Sequence, residues 1–341
     1  MSAAWTSADL KAVAFGGEIA EDVLRKVFDI SRIPLPVQDR VGTSTASNAY
    51  HEWLTDRLAD PNVDNARVDG SDPTDNDAKG GARVGNQCQI SSKTVKVSTR
   101  AQNSDVFTGN DLARQIMRRN QELRRDVDAI VLQPQASVAD NGTATAGRLG
   151  GLPSWLVTNT YRGAGGADGG FSGGLVGAPT PGAARGLTET LVKTAAQDVW
   201  KLGGDPSVLM SVPDVIAGLS TYMFTGSARI ASLQSDQGIK GQTAIGYVNV
   251  FLTDFDVQLE MIGNRLQQTY IDAVDVPVAN VFVLTPNMLN IAFLHGYRMD
   301  ALAKTGLSDE RDMTVDYTLE VNNEEAHAVI ADVDPTIAVV A

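Results

Sequence analysis

Residues 50–58 (YHEWLTDRL), 83–99 (RVGNQCQISSKTVKVST) and 108–134 (TGNDLARQIMRRNQELRRDVDAIVLQP) decide the fold: in this order they spell an outgoing strand, a returning strand and a long charged helix. In the third stretch Leu112, Ile116, Leu123, Val127, Ile130 and Val131 recur at three- and four-residue steps, the stripe of a 3.6-period helix. Thr108 or Asn110 can accept from the orphan amides of its first turn, Asp111 complements the partial positive charge there, and Pro134 ends it. Arg114, Arg118, Arg119, Glu122, Arg124, Arg125, Asp126 and Asp128 fill the other faces, with Arg118 and Glu122 spaced for an ion pair. At its usual rise such a helix is roughly 35 Å long, a strut suited to lie on a sheet.

Between the two strands, Asp60, Asp64, Asp69, Asp72, Asp75 and Asp77 occur with Pro61, Gly70 and Pro73, a composition that cannot bury a core. On the return, Cys88 and Ile90 share one parity while Val95 and Val97 take the other, so a bulge or bend is expected near Ser91 and Ser92. A two-stranded excursion with so little apolar surface is marginal alone. It is expected to lie on another body.

The chain of 341 residues is long enough for one large or two modest domains. Its single Cys88 excludes an intramolecular disulfide framework, and there is neither a basic-then-apolar leader nor an apolar run of spanning length, so a soluble product of a reducing compartment is expected. The net charge of -13 argues against a general nucleic-acid-binding surface, which needs clustered Lys and Arg. An acidic wall that merely encloses nucleic acid remains compatible with that charge.

Before the decisive stretch, a helix is expected over about Ser7–Phe28, closed by Pro34 and Pro36; residues Leu35 to Asn48 are extended and rich in Ser and Thr, an arm more than a domain. After it, Asn141 to Gly186 is glycine-rich, with Leu152, Pro153, Trp155, Leu156 and Val157 as its anchors, and a flexible surface loop is expected. From Leu187 the texture is α/β. A helix over Leu191–Trp200 ends at Gly203 and Gly204, Val208–Met210 is a buried strand, and Ser211 is placed to cap the helix that Pro213 and Asp214 open. Phe255, Val257, Leu259 and Met261 alternate with polar residues as a half-buried strand. Val281–Leu284 and Pro286–Leu294 suggest another strand-then-helix unit. The alternation Val315, Tyr317, Leu319, Val321 then turns at Asn322–Glu325 into a partner strand at Ala326–Val333, a terminal hairpin.

Chemistry is sparse. His51, His295 and His327 are far apart and beside no ligand-spaced Cys or His, so no metal is assigned; His327 suits a structural or interface role. Glu324 and Glu325 fit a solvated turn, Ser154 lacks the Gly-x-Ser-x-Gly elbow, and Cys88 suits a small buried hydrophobe. Gly163 to Gly170 has Asp168 where the dinucleotide fingerprint needs its third Gly, and no Gly-Lys-Ser/Thr follows. No catalytic, cofactor or metal residues are assigned.

Trp53 through Asp56, Asn65 to Asp69, Gln89 and Ile90, Lys93 to Ser98, Gly109, Gln115, Glu122 to Asp126 and Gly150 to Leu156 together resemble a family of tailed-bacteriophage major head proteins with the Hong Kong 97-like capsid fold. The resemblance covers Tyr50 to about Val157 and implies an α+β architecture: an N-terminal arm (1–49), an extended loop (50–103), a peripheral domain with a spine helix and the glycine-rich loop (104–186), an axial domain (187–283), and a return to the peripheral domain with the terminal β-hairpin (284–341). Gly163 to Pro181 has no counterpart in that pattern.

The function implied is a major capsid protein that self-assembles into pentamers and hexamers of an icosahedral head around double-stranded DNA. It would be assembled in the host cytoplasm and located in the virion, with a portal and decoration or scaffolding proteins as partners. A protein-cargo shell of the encapsulin type is the near alternative, and an enzyme with an atypical site the distant one. Because the family-like region begins near Tyr50, use of the chain uncut is expected. Lys79 is expected to be a solubilising charge, leaving a noncovalent lock: Asp69, Asp72, Asp75 and Asp77 at the loop tip against Arg118, Arg119, Arg124 and Arg125 on a neighbour's helix.

Overall fold

The structure is a computed structural model and describes residues 35–59, 61–64, 66–72, 81–103, 111–225, 249–272, 274–304 and 306–340. The helix expected over Ser7–Phe28, the capping residues Thr108–Asn110, and Asp60, Asp75, Asp77 and Lys79 lie outside the described residues.

The apolar stripe emerges as α1 (Asp111–Val131), which lies on a four-stranded sheet. The sheet order is β1 (Gly42–Thr45), β13 (Leu289–Ala301), β14 (Ser308–Val321), β4 (Gln89–Ser98), with β1 parallel to β13 and the other pairs antiparallel. Leu123, Val127 and Val131 share one core with Val95 and Val97 of β4 and with Val315 and Tyr317 of β14. Burying side chains of this size stabilises by about 1.5–3 kcal/mol each, enough to hold a helix whose remaining faces are charged.

The second sheet runs β5 (Thr160–Tyr161), β15 (Ala328–Val333), β12 (Pro277–Leu284), β8 (Val208–Ser211), β10 (Gln258–Gly263), β9 (Val250–Leu252), with β11 (Tyr270–Ile271) also on β12. Strand β12 is apolar on both parities because both its faces are covered. Val281 and Val283 join α2 (Glu189–Lys201) and α3 (Pro213–Thr225) in one core, while Phe282 and Leu284 enter the core under α1. Thr188 caps α2 by accepting from the Leu191 amide, and Gly203, at φ 93°, follows its C-terminus. Two small hairpins, β2 (Tyr50–Thr55) with β3 (Ala82–Gln87) and β6 (Gly170–Ser172) with β7 (Leu175–Gly177), complete the strands among the described residues.

Several expectations are corrected. The bend in the returning strand falls at Cys88, between β3 and β4, and β4 passes Ser91 and Ser92 in unbroken register with β14. Its inward parity is Ser91, Lys93, Val95, Val97, which leaves Ile90 66% exposed. After one 3-10 turn at Pro286–Met288, the segment expected as a helix is the long strand β13, because pairing with β14 from Leu289↔Val321 to Ala301↔Arg311 outweighs local propensity. The terminal hairpin is absent: β14 pairs with β13 and β4, whereas β15 crosses to the other sheet and pairs with β12 and β5. The hairpin that does return the chain is β13–β14. The alternation from Phe255 contributes a strand only from Gln258, since Asp256 at φ 64° forms a turn. Ser211 donates to the Asn280 carbonyl instead of capping α3. The glycine-rich stretch is folded, with β5, the β6–β7 hairpin and the buried helical turn Leu152–Trp155 inside it.

Candidate functional site

The surface with most to explain is the β2–β3 hairpin. It pairs from Tyr50↔Gln87 to Thr55↔Ala82 and stands apart from both large sheets. Its root is densely bonded. The fully buried Asn86 donates through Nδ2 to the Gly150 and Leu319 carbonyls, at 3.1 and 3.0 Å, and accepts through Oδ1 from the Gly150 amide at 2.8 Å. Trp53 Nε1 donates to the Val321 carbonyl at 2.8 Å, and Thr318 Oγ1 donates to the Gln87 carbonyl at 2.9 Å. Glu320 accepts from Ser44 Oγ at 2.5 Å and lies 3.3 Å from His51 Nε2.

Sequence reading missed Asn86, although a polar residue beside Gly85 on a strand was the available signal. Glu324 and Glu325, expected to be merely solvated, are engaged within the chain. Glu324 accepts from the Val157 and Thr158 amides at 3.1 and 3.2 Å, and Glu325 pairs with Arg57 at 3.3 Å.

Away from the root the hairpin loses its cover. Leu54 faces solvent, and Leu58, Val63 and Val68 are 91%, 93% and 81% exposed. Asp69 and Asp72 are exposed, and no ion pair involves either among the described residues. The chain therefore displays aliphatic and acidic side chains on an element too thin to bury them.

The candidate arginines are in unlike settings. Arg118 is exposed; Arg119 is engaged with Glu122 at 2.5 Å, which replaces the expected Arg118–Glu122 pair. Arg124 stacks over the Tyr297 ring at 5.0 Å. Arg125 lines a cleft of about 620 Å³ between α1 and the loops of the second sheet, with Arg265, Asp214 and Gln267 on other walls. The described part of the acidic loop makes no ion pair with these arginines within one chain.

Asp128, expected on the charged surface of α1, is fully buried and accepts through Oδ1 from the Val37 and Gln38 amides at 3.2 and 3.0 Å. Gln38 in turn donates to the Arg124 carbonyl at 2.7 Å, and Arg40 pairs with Glu260 of β10 at 2.9 Å. Residues 35–41 thus tie α1 to the second sheet. Burial pushes the Asp128 carboxyl up to about 6, against the pull of its amide donors. Burial also drives His327 down to about 4; the ring is neutral near pH 7 and its Nδ1 accepts from the Thr285 amide at 3.2 Å, a structural role. Cys88 is buried, with its thiol pushed up to about 12 by desolvation, the character of an inert hydrophobe.

A family model described as SU10 major capsid protein matches residues 5–334. A curated relative, the major capsid protein of Escherichia phage Phieco32, is 31% identical over 102 residues, which are 30% of this chain and 29% of that relative's length. Among solved structures, the capsid of a native GTA particle superposes with a TM-score of 0.58 at 10% identity, covering 94% of this chain and 98% of that one. The holo-SrpI encapsulin complex of Synechococcus elongatus superposes with a TM-score of 0.54 at 11% identity, covering 96% and 97%. At such identities the structural likeness speaks to the fold.

Proposed function

The chain belongs to the SU10 major capsid protein family and has the Hong Kong 97-like α+β fold, and from that premise we propose that it builds an icosahedral phage head of pentamers and hexamers around double-stranded DNA. The observation that carries this reading is the contrast along the β2–β3 hairpin, whose root is bonded by Asn86 and Trp53 while Leu58, Val63 and Val68 lie bare. Identical neighbours in a ring supply the missing cover at every position at once. We assign 1–49 to an arm, 50–103 to the extended loop, 104–186 to the peripheral domain, 187–283 to the axial domain and 284–341 to the return, now by way of β13–β14.

The lock between subunits is electrostatic in this reading. Asp69, Asp72, Asp75 and Asp77 of one copy lie against Arg118, Arg119, Arg124 and Arg125 of the next, with Arg118 the most available because Arg119 and Arg124 already have partners. Each exposed pair contributes only about 0–1 kcal/mol, but the contact repeats throughout a shell. Assembly takes place in the host cytoplasm, with a portal at one vertex and decoration or scaffolding proteins as further partners. Production of the chain alone, followed by negative-stain microscopy, tests the reading. Closed shells are expected; monodisperse monomers would overturn it, and shells of virions holding enzyme cargo in place of DNA would redirect it to a protein compartment.

A further inference from the structure

We propose that the β6–β7 hairpin of the glycine-rich segment is a brace that sets the direction in which the β2–β3 hairpin projects, with Phe171 and Val176 as its positioning residues. The brace is built from the glycines themselves. In the register Phe171↔Val176 and Ser172↔Leu175, the two connecting residues are Gly173 and Gly174, at φ 60° and 86°, the left-handed pair that a tight two-residue turn requires. Directly opposed residues of an antiparallel pair share a face. Phe171 and Val176 therefore point the same way, toward the root of the larger hairpin.

Two lines of contact run from that face into the root. Phe171 stacks on Trp155 at 5.8 Å with the rings 4° apart, and Trp155 meets Trp53 of β2 at 5.3 Å. Trp53 is in turn fixed to β14 through the Val321 carbonyl. Along the second line, buried Val176 packs on Gly150 so closely that a Cβ there would come within 2.7 Å of it, and Gly150 is the residue whose amide and carbonyl hold Asn86 of β3. Val176 is held by Ser137, whose Oγ accepts from the Val176 amide at 2.6 Å and whose amide donates to the Val176 carbonyl at 2.9 Å. One strand of the projecting hairpin is thus set by Phe171 and the other by Val176.

The consequence for assembly rests on the reading of this chain as a shell subunit: a projection angle shared by every copy gives one curvature, and a loosened angle gives several. The brace itself is tested apart from assembly. Phe171→Leu keeps apolar bulk without the ring stack, Phe171→Tyr keeps the stack, and Leu175→Ser alters a half-exposed side chain of the same small hairpin. In hydrogen exchange, Phe171→Leu is expected to speed the amides of Tyr50–Thr55 and Ala82–Gln87 by roughly tenfold while those of α2 keep the parent's rates, and its shells are expected to show more than one diameter. Phe171→Tyr and Leu175→Ser are expected to match the parent in both readouts. Unchanged exchange in β2 and β3, or an equal rise in α2, would overturn the brace; a single parental diameter despite faster exchange would overturn its role in curvature. A parent chain that forms no shells would count against the shell reading alone, with the exchange result still deciding the brace.

Discussion

At the root of the β2–β3 hairpin the buried Asn86 is met on both sides of its amide from within the chain, joining Gly150 and Leu319, whereas a few residues further out Leu58 and Val63 are almost wholly in solvent. Both regions belong to one hairpin excursion. The difference lies in where the covering surface comes from: β14 and the glycine-rich segment cover the root, while further out Leu58, Val63 and Val68 are left exposed. A monomer under selection only for its own stability gains nothing from exposed aliphatic residues on a thin excursion. A subunit whose neighbours complete it does.

The sharpest way to break this contrast is to remove the far part. Deleting residues 60–81 is expected to leave a folded chain, with a cooperative melt and unchanged far-ultraviolet dichroism, and to abolish closed shells; normal heads from that deletion would refute the assignment. The root is expected to respond in the opposite manner. Asn86→Ala strands the Gly150 amide and the Gly150 and Leu319 carbonyls without their partner, and each such group costs about 1–3 kcal/mol. Denaturant titration of the unassembled chain should show a loss of several kcal/mol. A change below about 1 kcal/mol would mean that the root is not held as described.

Acid acts on two buried groups in opposite senses. For His327 the unfolded chain takes up a proton near pH 6.5 that the folded chain refuses until about 4, so stability is lost as pH falls through that window, by about 3 kcal/mol. For Asp128 the folded carboxyl, at about 6, takes its proton before the unfolded one at 3.8, so falling pH adds stability over that range by a similar amount. The two offset one another. Asp128→Asn is therefore expected to make the stability loss between pH 6.5 and 4 steeper than in the parent, measured as denaturant midpoints across that range; an identical pH profile would contradict the account of Asp128.

The smallest effect is expected at the arginines. Arg118→Glu should leave the melt of the unassembled chain within about 0.5 kcal/mol while lowering the salt concentration at which empty shells dissociate. Shells of the variant with the parent's salt tolerance would remove Arg118 from the lock.

Local physics made much of this legible in the sequence. The stripe Leu112 to Val131 marked the helix, and the apolar run at Val281–Leu284 marked a strand. What escaped was set by partners distant in the chain. Leu289–Ala301 has no intrinsic reason to be a strand until β14 pairs with it across a turn. Asp128 carries the same charge as its exposed neighbours and is distinguished only by the amides of Val37 and Gln38, some ninety residues away. The glycine-rich stretch 141–186 read as a flexible surface loop because composition does not say which φ each glycine adopts; Gly173 and Gly174 are turn-formers, and Phe171 and Val176 were the apolar pair that could have betrayed a hairpin. The proposed inter-subunit lock rests on charge and the resemblance alone, since one chain does not contain its other half.

The central claim is that the exposed part of the hairpin is completed by another copy. Hydrogen exchange on intact shells and on the same chain dissociated from them, compared over residues 56–72 and over α1, tests it most directly. The account predicts strong protection of 56–72 only in the shell, with α1 protected in both; equal exchange of 56–72 in shell and free chain would contradict it.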